Sequence, residues 1–180
     1  MEWLTQVDAE ILRFIQTHFH NQTLTMVMTT VSLFSASIWF CLGVIGLFFK
    51  KTRESALYSL VGLALSFIIV HLILKPWIAR PRPFVTFSDL EPLITKPKSF
   101  SFPSGHSASA FAAIGGYCSK RKPLRIFLLI LFASSIAFSR LYLEVHYPSD
   151  VLVGILIGII CSFFANLMRK KATTSIENML

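Results

Sequence analysis

Five apolar stretches, each about 15 to 26 residues long and bounded by basic or polar residues, constrain this chain more than any other feature. Inside a bilayer, backbone N–H and C=O groups find no water, so each such stretch must close its own hydrogen bonds as a helix. The stretches are 24–49, 55–74, 104–118, 124–143 and 151–168. Composition agrees: 54% of the 180 residues are hydrophobic and 14% charged, against about 25% charged in soluble domains. Residues 1–20 differ. Trp3, Leu4, Val7, Ile11, Leu12, Phe14, Ile15 and Phe19 alternate with Glu10, Arg13 and Gln16, which predicts an amphipathic helix lying in the membrane interface. With Asp8, Glu10 and Arg13 inside it, this segment does not read as a cleavable signal peptide. The expected fold is therefore a single all-α, polytopic membrane helix bundle over 1–180, with about five transmembrane helices plus the interfacial helix.

The charges orient the bundle. Lys50, Lys51 and Arg53 follow the first apolar stretch; Lys120, Arg121, Lys122 and Arg125 follow the third; Arg169, Lys170 and Lys171 follow the fifth. With five spans these clusters share one side, and the excess of Lys and Arg in short loops marks that side as cytoplasmic. The net charge of +8 is thus explained by topology, and no nucleic-acid partner is expected. The interfacial helix, the 79–102 loop and the 140–150 connection fall together on the extracytoplasmic face, with the C-terminus in the cytoplasm. The third stretch is rich in Ala, Gly and Ser, residues that let helices approach closely, and is expected at the centre of the bundle. Cys41, Cys118 and Cys161 are odd in number and widely spaced, and read as apolar fillers.

Three polar patches converge on the outer face: Lys75 to Pro83, Phe102 to His106, and Ser139 to Asp150. Taken singly, Lys75 or Arg80 reads as a cation snorkelling to headgroups. Taken together, the patches describe a site for a phosphate group. Lys75, Arg82 and Arg140 offer a point charge and planar forks to its oxygens. Ser104 is placed to cap the third helix, and Gly105 lets the backbone of that helix N-terminus approach an anion. His146 and Asp150 flank Pro148, itself suited to a first helical turn. Asp150 could accept a ring N–H of His146 and leave the other nitrogen free to attack phosphorus. His106 could protonate the departing oxygen. His18, His20 and His71 read as structural, with His71 one turn before Lys75 and able to support it.

These patches resemble the three-part signature of the type 2 phosphatidic acid phosphatase superfamily, K-x6-R-P, P-S-G-H and S-R-x5-H-x3-D. Lys75, Arg82 and Pro83, then Pro103 to His106, then Ser139, Arg140, His146 and Asp150 fill every position. The resemblance implies a phosphohistidine intermediate on His146, with Asp150 as its partner and His106 as acid. It implies Lys75, Arg82, Ser104, Gly105 and Arg140 as phosphate ligands, and no metal or other cofactor. Members commonly carry six spanning helices, of which this chain shows five and the amphipathic helix that precedes them. Soluble vanadium haloperoxidases share the anion pocket, but the apolar stretches argue against that class. A non-enzymatic lipid-binding protein or transporter would need only the cations, not His106, His146 and Asp150.

The expected partner is a phosphorylated membrane lipid within the bilayer; no protein partner is inferable. Small bacterial members with Arg-Pro-Arg-Pro-Phe (80–84) and His-Tyr-Pro-Ser-Asp (146–150) resemble undecaprenyl-diphosphate phosphatases. A phosphatidylglycerophosphate or phosphatidate phosphatase is the alternative. Trp77, Phe84, Phe87, Phe100 and Phe102 read equally as the mouth of a tail site and as an interfacial aromatic belt. Glu144, outside the signature, could raise the pKa of His146 or select against more negative substrates.

Overall fold

In a computed structural model, residues 2–118 and 123–177 are described, and every regular element among them is helical. The elements are α1 (Glu2–Phe19), α2 (Gln22–Leu47), α3 (Arg53–Phe67), a π-helical segment (Ile68–Leu74), α4 (Lys75–Ile78), α5 (Pro83–Thr86), α6 (Gly105–Cys118), α7 (Pro123–Tyr142) and α8 (Pro148–Glu177). Their boundaries obey local chemistry. Asn21 caps α2 by accepting from the Leu24 amide at 2.9 Å. Ala79 ends α4 in the left-handed region at φ 49. Pro148 opens α8, and three residues from Tyr147 the Asp150 carboxylate accepts the Tyr147 N–H at 3.0 Å, as in the second half of a capping box.

Among the described residues, three helical stretches are long and apolar enough to cross a membrane: Arg53–Thr86, Pro123–Tyr142 and Pro148–Ala172. The pair Gln22–Leu33 and Ser37–Leu47, bent by 47°, makes a fourth if it is one span. The remaining expected span, α6, has 14 residues. At about 1.5 Å per residue it falls short of the roughly 30 Å hydrocarbon core. It is nonetheless the hub, packing against α2, α3, α7 and α8.

Small side chains make that packing possible. A Cβ at Gly116 would lie 2.3 Å from the Ser55 carbonyl oxygen of α3, and one at Gly158 of α8 would lie 2.5 Å from the Ala108 oxygen of α6. The main core gathers Trp39, Phe111, Ile114 and Ile136 from α2, α6 and α7.

Helix α1 lies against the ends of the bundle, contacting α7 and α8. Its inner face buries Asp8, Ala9, Leu12 and Ile15; Trp3, Leu4, Ile11, Phe14 and Phe19 stay exposed on its surface. The inner apolar residues join Leu90, Tyr147 and, in a second cluster, Tyr142, Leu143 and Val145. At the other end of the bundle, Arg169 of α8 holds Glu54 of α3 in a two-pronged bond of 2.8 and 2.7 Å. Arg125 stands 5.6 Å over the Tyr117 ring. Lys120, Arg121 and Lys122 lie outside the described residues.

Candidate active site

The π-helical segment delivers the first site residue. Its wider turn closes with the Lys75 N–H bonded to the Val70 oxygen, five residues back. Such insertions recur at functional sites because the extra residue re-aims the side chains of the next turn. Lys75 is buried and donates through Nζ to the Phe100 oxygen. Arg82, also buried, is held by the loop it helps to close: Nε donates to the Ser99 oxygen at 2.7 Å, Nη2 to Ser99 Oγ at 3.0 Å, and Nη1 to the Val145 oxygen at 2.5 Å. The same Nη1 stands 3.5 Å from His146 Nε2. Arg140 comes from the last turn of α7 and donates to Ser32 Oγ of α2.

The start of α6 supplies the amides. Ser104 Oγ accepts the Ser107 N–H at 3.4 Å, and the Ser104 N–H donates to the Asp150 carbonyl at 3.0 Å. Gly105 and His106 occupy the first turn, where the helix itself offers their N–H groups no acceptor. Gly105 makes a close approach: a Cβ there would meet His71 Nε2 at 2.6 Å and push that ring aside. His71, which the sequence reads as structural, thus packs directly on the site.

His146 is buried, with Nε2 toward Arg82 and Nδ1 3.6 Å from Asp150 Oδ2. That separation is longer than a hydrogen bond. Burial pushes the His146 pKa down to about 3, with Arg82 and Arg140 adding and Asp150 only partly opposing. The ring is therefore neutral at neutral pH, and an Nδ1–H directed at Asp150 leaves the Nε2 lone pair facing the cations. Asp150 is fully buried and accepts from Ser101 Oγ at 2.5 Å and Arg80 Nη1 at 2.6 Å besides the Tyr147 amide.

Beside this cluster runs a cavity of about 710 Å³, within the roughly 300–1,000 Å³ usual for ligand sites. Leu60, Leu63, Phe67 and Ile68 line its apolar length; Gly105 and His106 stand at its polar end, with His71 beside them. Phe40, Phe67 and Ile68, which line it, are themselves exposed, so the cavity opens to the surface of the bundle. None of Trp77, Phe84, Phe87, Phe100 and Phe102 lines it; the walls come from the apolar α3 and its π-helical extension instead.

Glu144 is another surprise. It takes the left-handed position (φ 57) that closes α7, with the Val145 N–H bonded to the Arg140 oxygen and the Glu144 N–H to the Leu141 oxygen. Its carboxylate turns to His20, 3.7 Å away, rather than into the cation cluster. The His146 pKa owes its shift to burial and the groups named above, Glu144 not among them.

Comparison with known proteins identifies the family. The family model described as the PAP2 superfamily matches residues 55–174. Phosphatidylglycerophosphatase B of Bacillus subtilis is 33% identical over 135 residues, 69% of this chain and 62% of that protein. Undecaprenyl-diphosphatase of Sulfolobus acidocaldarius is 29% identical over 162 residues, 88% of this chain and 76% of that protein. The crystal structure of a transmembrane PAP2-type phosphatidylglycerolphosphate phosphatase from Bacillus subtilis superposes with a TM-score of 0.79 at 27% identity, covering 95% of this chain and 88% of that one. With the family matched over more than half its length, the chain belongs to the PAP2 superfamily.

Proposed function

We propose that this protein hydrolyses the phosphate or diphosphate headgroup of a membrane lipid, with His146 as nucleophile. The observation that carries the reading is the gathering of Lys75, Arg82, Arg140 and the start of α6 about a buried His146, beside a cavity that Gly105 and His106 line. The tail would lie in the cavity and the headgroup among the cations. Nε2 of His146 attacks phosphorus as the bond to the leaving oxygen breaks, and His106, protonated when the anionic headgroup sits beside it, gives that oxygen its proton. Asp150 balances the charge that appears on the phosphorylated ring. Water then attacks phosphorus, giving a proton to His106, as the phosphorus–Nε2 bond breaks; inorganic phosphate leaves and the Nε2 lone pair is restored.

Lys75, Arg82 and Arg140 already neutralise the headgroup. The reaction is proposed to be metal-independent, because these three side chains bring the positive charge that a metal would supply. For the substrate we propose undecaprenyl diphosphate, cleaved to undecaprenyl phosphate on the extracytoplasmic face. The likeness to an undecaprenyl-diphosphatase across 88% of the chain supports this. The likeness to phosphatidylglycerophosphatase B favours the alternative, a phosphatidylglycerophosphate or phosphatidate substrate.

The test is phosphate release by purified protein in detergent with a chelator present, across undecaprenyl diphosphate, phosphatidylglycerophosphate and phosphatidate. The expected result is turnover of undecaprenyl diphosphate with the highest kcat/KM, and its loss in His146→Ala together with the acid-labile phosphoenzyme. A His146→Ala protein that still turns over, or a strict need for added Mg²⁺ or Zn²⁺, would sink the mechanism.

A further inference from the structure

Arg80 lies two residues before Arg82 but does a different job. Its guanidinium turns away from the headgroup pocket and is fixed on both edges and one face. Nη1 donates to Asp150 Oδ1 at 2.6 Å and to Ser149 Oγ at 2.7 Å. Nη2 donates to Asp8 Oδ2 at 2.9 Å and to Thr5 Oγ1 at 3.4 Å. The Tyr147 ring lies beneath it, 3.9 Å from the guanidinium carbon. Asp8, buried on the inner face of α1, takes in addition the Ser149 N–H at 3.0 Å and the Ser149 hydroxyl. One buried chain of contacts thus runs from the interfacial helix through Asp8 and Arg80 to Asp150.

The two oxygens of Asp150 divide the work. Oδ2 faces the Ser101 hydroxyl, the Tyr147 amide and His146 Nδ1, while Oδ1 receives Arg80. A buried carboxylate stays charged and in place only where cations and donors surround it. Neighbouring Ser101 and Tyr147 are neutral, and Arg82 is committed to the Ser99–Phe100 backbone, the Val145 carbonyl and the His146 edge. Among the described residues, Arg80 is the Lys or Arg in direct contact with Asp150.

We propose that Arg80, anchored by Asp8 of α1, is a positioning residue that holds Asp150 against His146 Nδ1 and takes no part in binding the headgroup. The inference rests on His146 as nucleophile, and its test separates the two. Wild type and His146→Ala are assayed first; a His146→Ala protein that retains activity removes the nucleophile reading before Arg80 is considered.

Arg80→Met, Arg80→Lys, Asp8→Asn and, as a contrast, Arg82→Met are then compared on a short-chain lipid phosphate. The readouts are kcat, KM and the inhibition constant of inorganic phosphate. Arg80→Met is expected to lower kcat by at least about tenfold, with KM and phosphate inhibition held within about twofold, the pattern of a group that acts after binding. Arg80→Lys should recover part of kcat by restoring charge on Oδ1, which filling of space alone would not do. Asp8→Asn should lower kcat in the same direction by less. Arg82→Met should weaken phosphate inhibition. If Arg80→Met weakens phosphate inhibition as Arg82→Met does, Arg80 is a headgroup ligand and the proposal fails. It fails equally if Arg80→Met retains wild-type kcat. Should Arg80→Met not fold, Asp8→Asn decides: wild-type kcat there removes the anchor, and a lowered kcat with unchanged phosphate inhibition sustains it.

Discussion

Glu144 combines a left-handed backbone, φ 57, with a carboxylate whose two oxygens are buried and make no hydrogen bond among the described residues. A left-handed non-glycine residue costs roughly 1–2 kcal/mol, and a buried carboxylate without donors costs more when ionised. Burial, with the nearby charges of Asp89 and Glu91, raises the Glu144 pKa from its ordinary 4.5 to about 7. The folded protein therefore holds this proton more tightly than the unfolded chain. The stability it lends is complete below about pH 4.5 and is lost as pH rises through about 7. Glu144→Gln removes the titration. In detergent, the melting temperatures of Glu144→Gln and wild type should differ more at pH 8 than at pH 5. The variant should gain about 1–3 kcal/mol on wild type over that interval, several degrees for a chain of this size. A difference that does not change with pH would mean that Glu144 is not the titrating group.

At the scale of elements, α6 carries both the packing and the site. Gly154 of α8 faces its N-terminal end, where a Cβ would lie 2.6 Å from the Ser104 oxygen; Gly116 faces α3 far from it, where a Cβ would lie 2.3 Å from the Ser55 oxygen. Neither carbonyl belongs to a flexible side chain that could move aside. Gly154→Ala and Gly116→Ala should each destabilise the protein by about 1–3 kcal/mol, as overpacking does. They should part in activity. Gly154→Ala displaces the turn that carries Ser104, Gly105 and His106, so kcat/KM should fall at least about tenfold below the loss in Gly116→Ala, at a temperature where both are folded. Equal activities would mean that the α6 turn tolerates a shift and is not held by α8.

The same elements show what a sequence makes legible. Lys75, Arg82, His106, Arg140, His146 and Asp150 can be gathered from residue type and from the end of the apolar run on which each stands. The all-helical fold is read from hydropathy in the same way. Arg80 and Asp8 could not be paired like this, because 72 residues separate them and Asp8 looks like one more polar position on an amphipathic helix. The signal was its period: Asp8 shares the helix face of Leu12 and Ile15, both buried, one and two turns on. The π-helical turn left no mark in composition, since Ile68 to Leu74 is as apolar as the helix before it. Its extra residue sets where His71 and Lys75 point, so the packing of His71 on Gly105 needed coordinates.

For the whole molecule, the placement of charge argues for one orientation of the bundle in the membrane. The turn from α2 to α3, the Arg125 end of α7 and the Arg169 end of α8 lie together, opposite the site. They carry Lys50, Lys51, Arg53, Arg125, Arg169, Lys170 and Lys171. The site end has cations as well, yet most have a task there: Arg80 with Asp8 and Asp150, Arg13 with Asp89, and Lys75, Arg82 and Arg140 in the proposed headgroup site. Since Lys and Arg in short loops are retained in the cytoplasm, the site is expected to face outward. Phosphate would then be released outside, and a lipid made in the cytoplasm would have to cross the bilayer first. Single cysteines test this in intact cells, on a background in which Cys41, Cys118 and Cys161 are replaced. Ser88→Cys, exposed beside the site, should react with a membrane-impermeant maleimide, whereas Ala172→Cys, exposed near the end of α8, should react only after permeabilisation. The reverse pattern would put the headgroup site in the cytoplasm, and a carrier lipid recycled on the outer face could not then be its substrate.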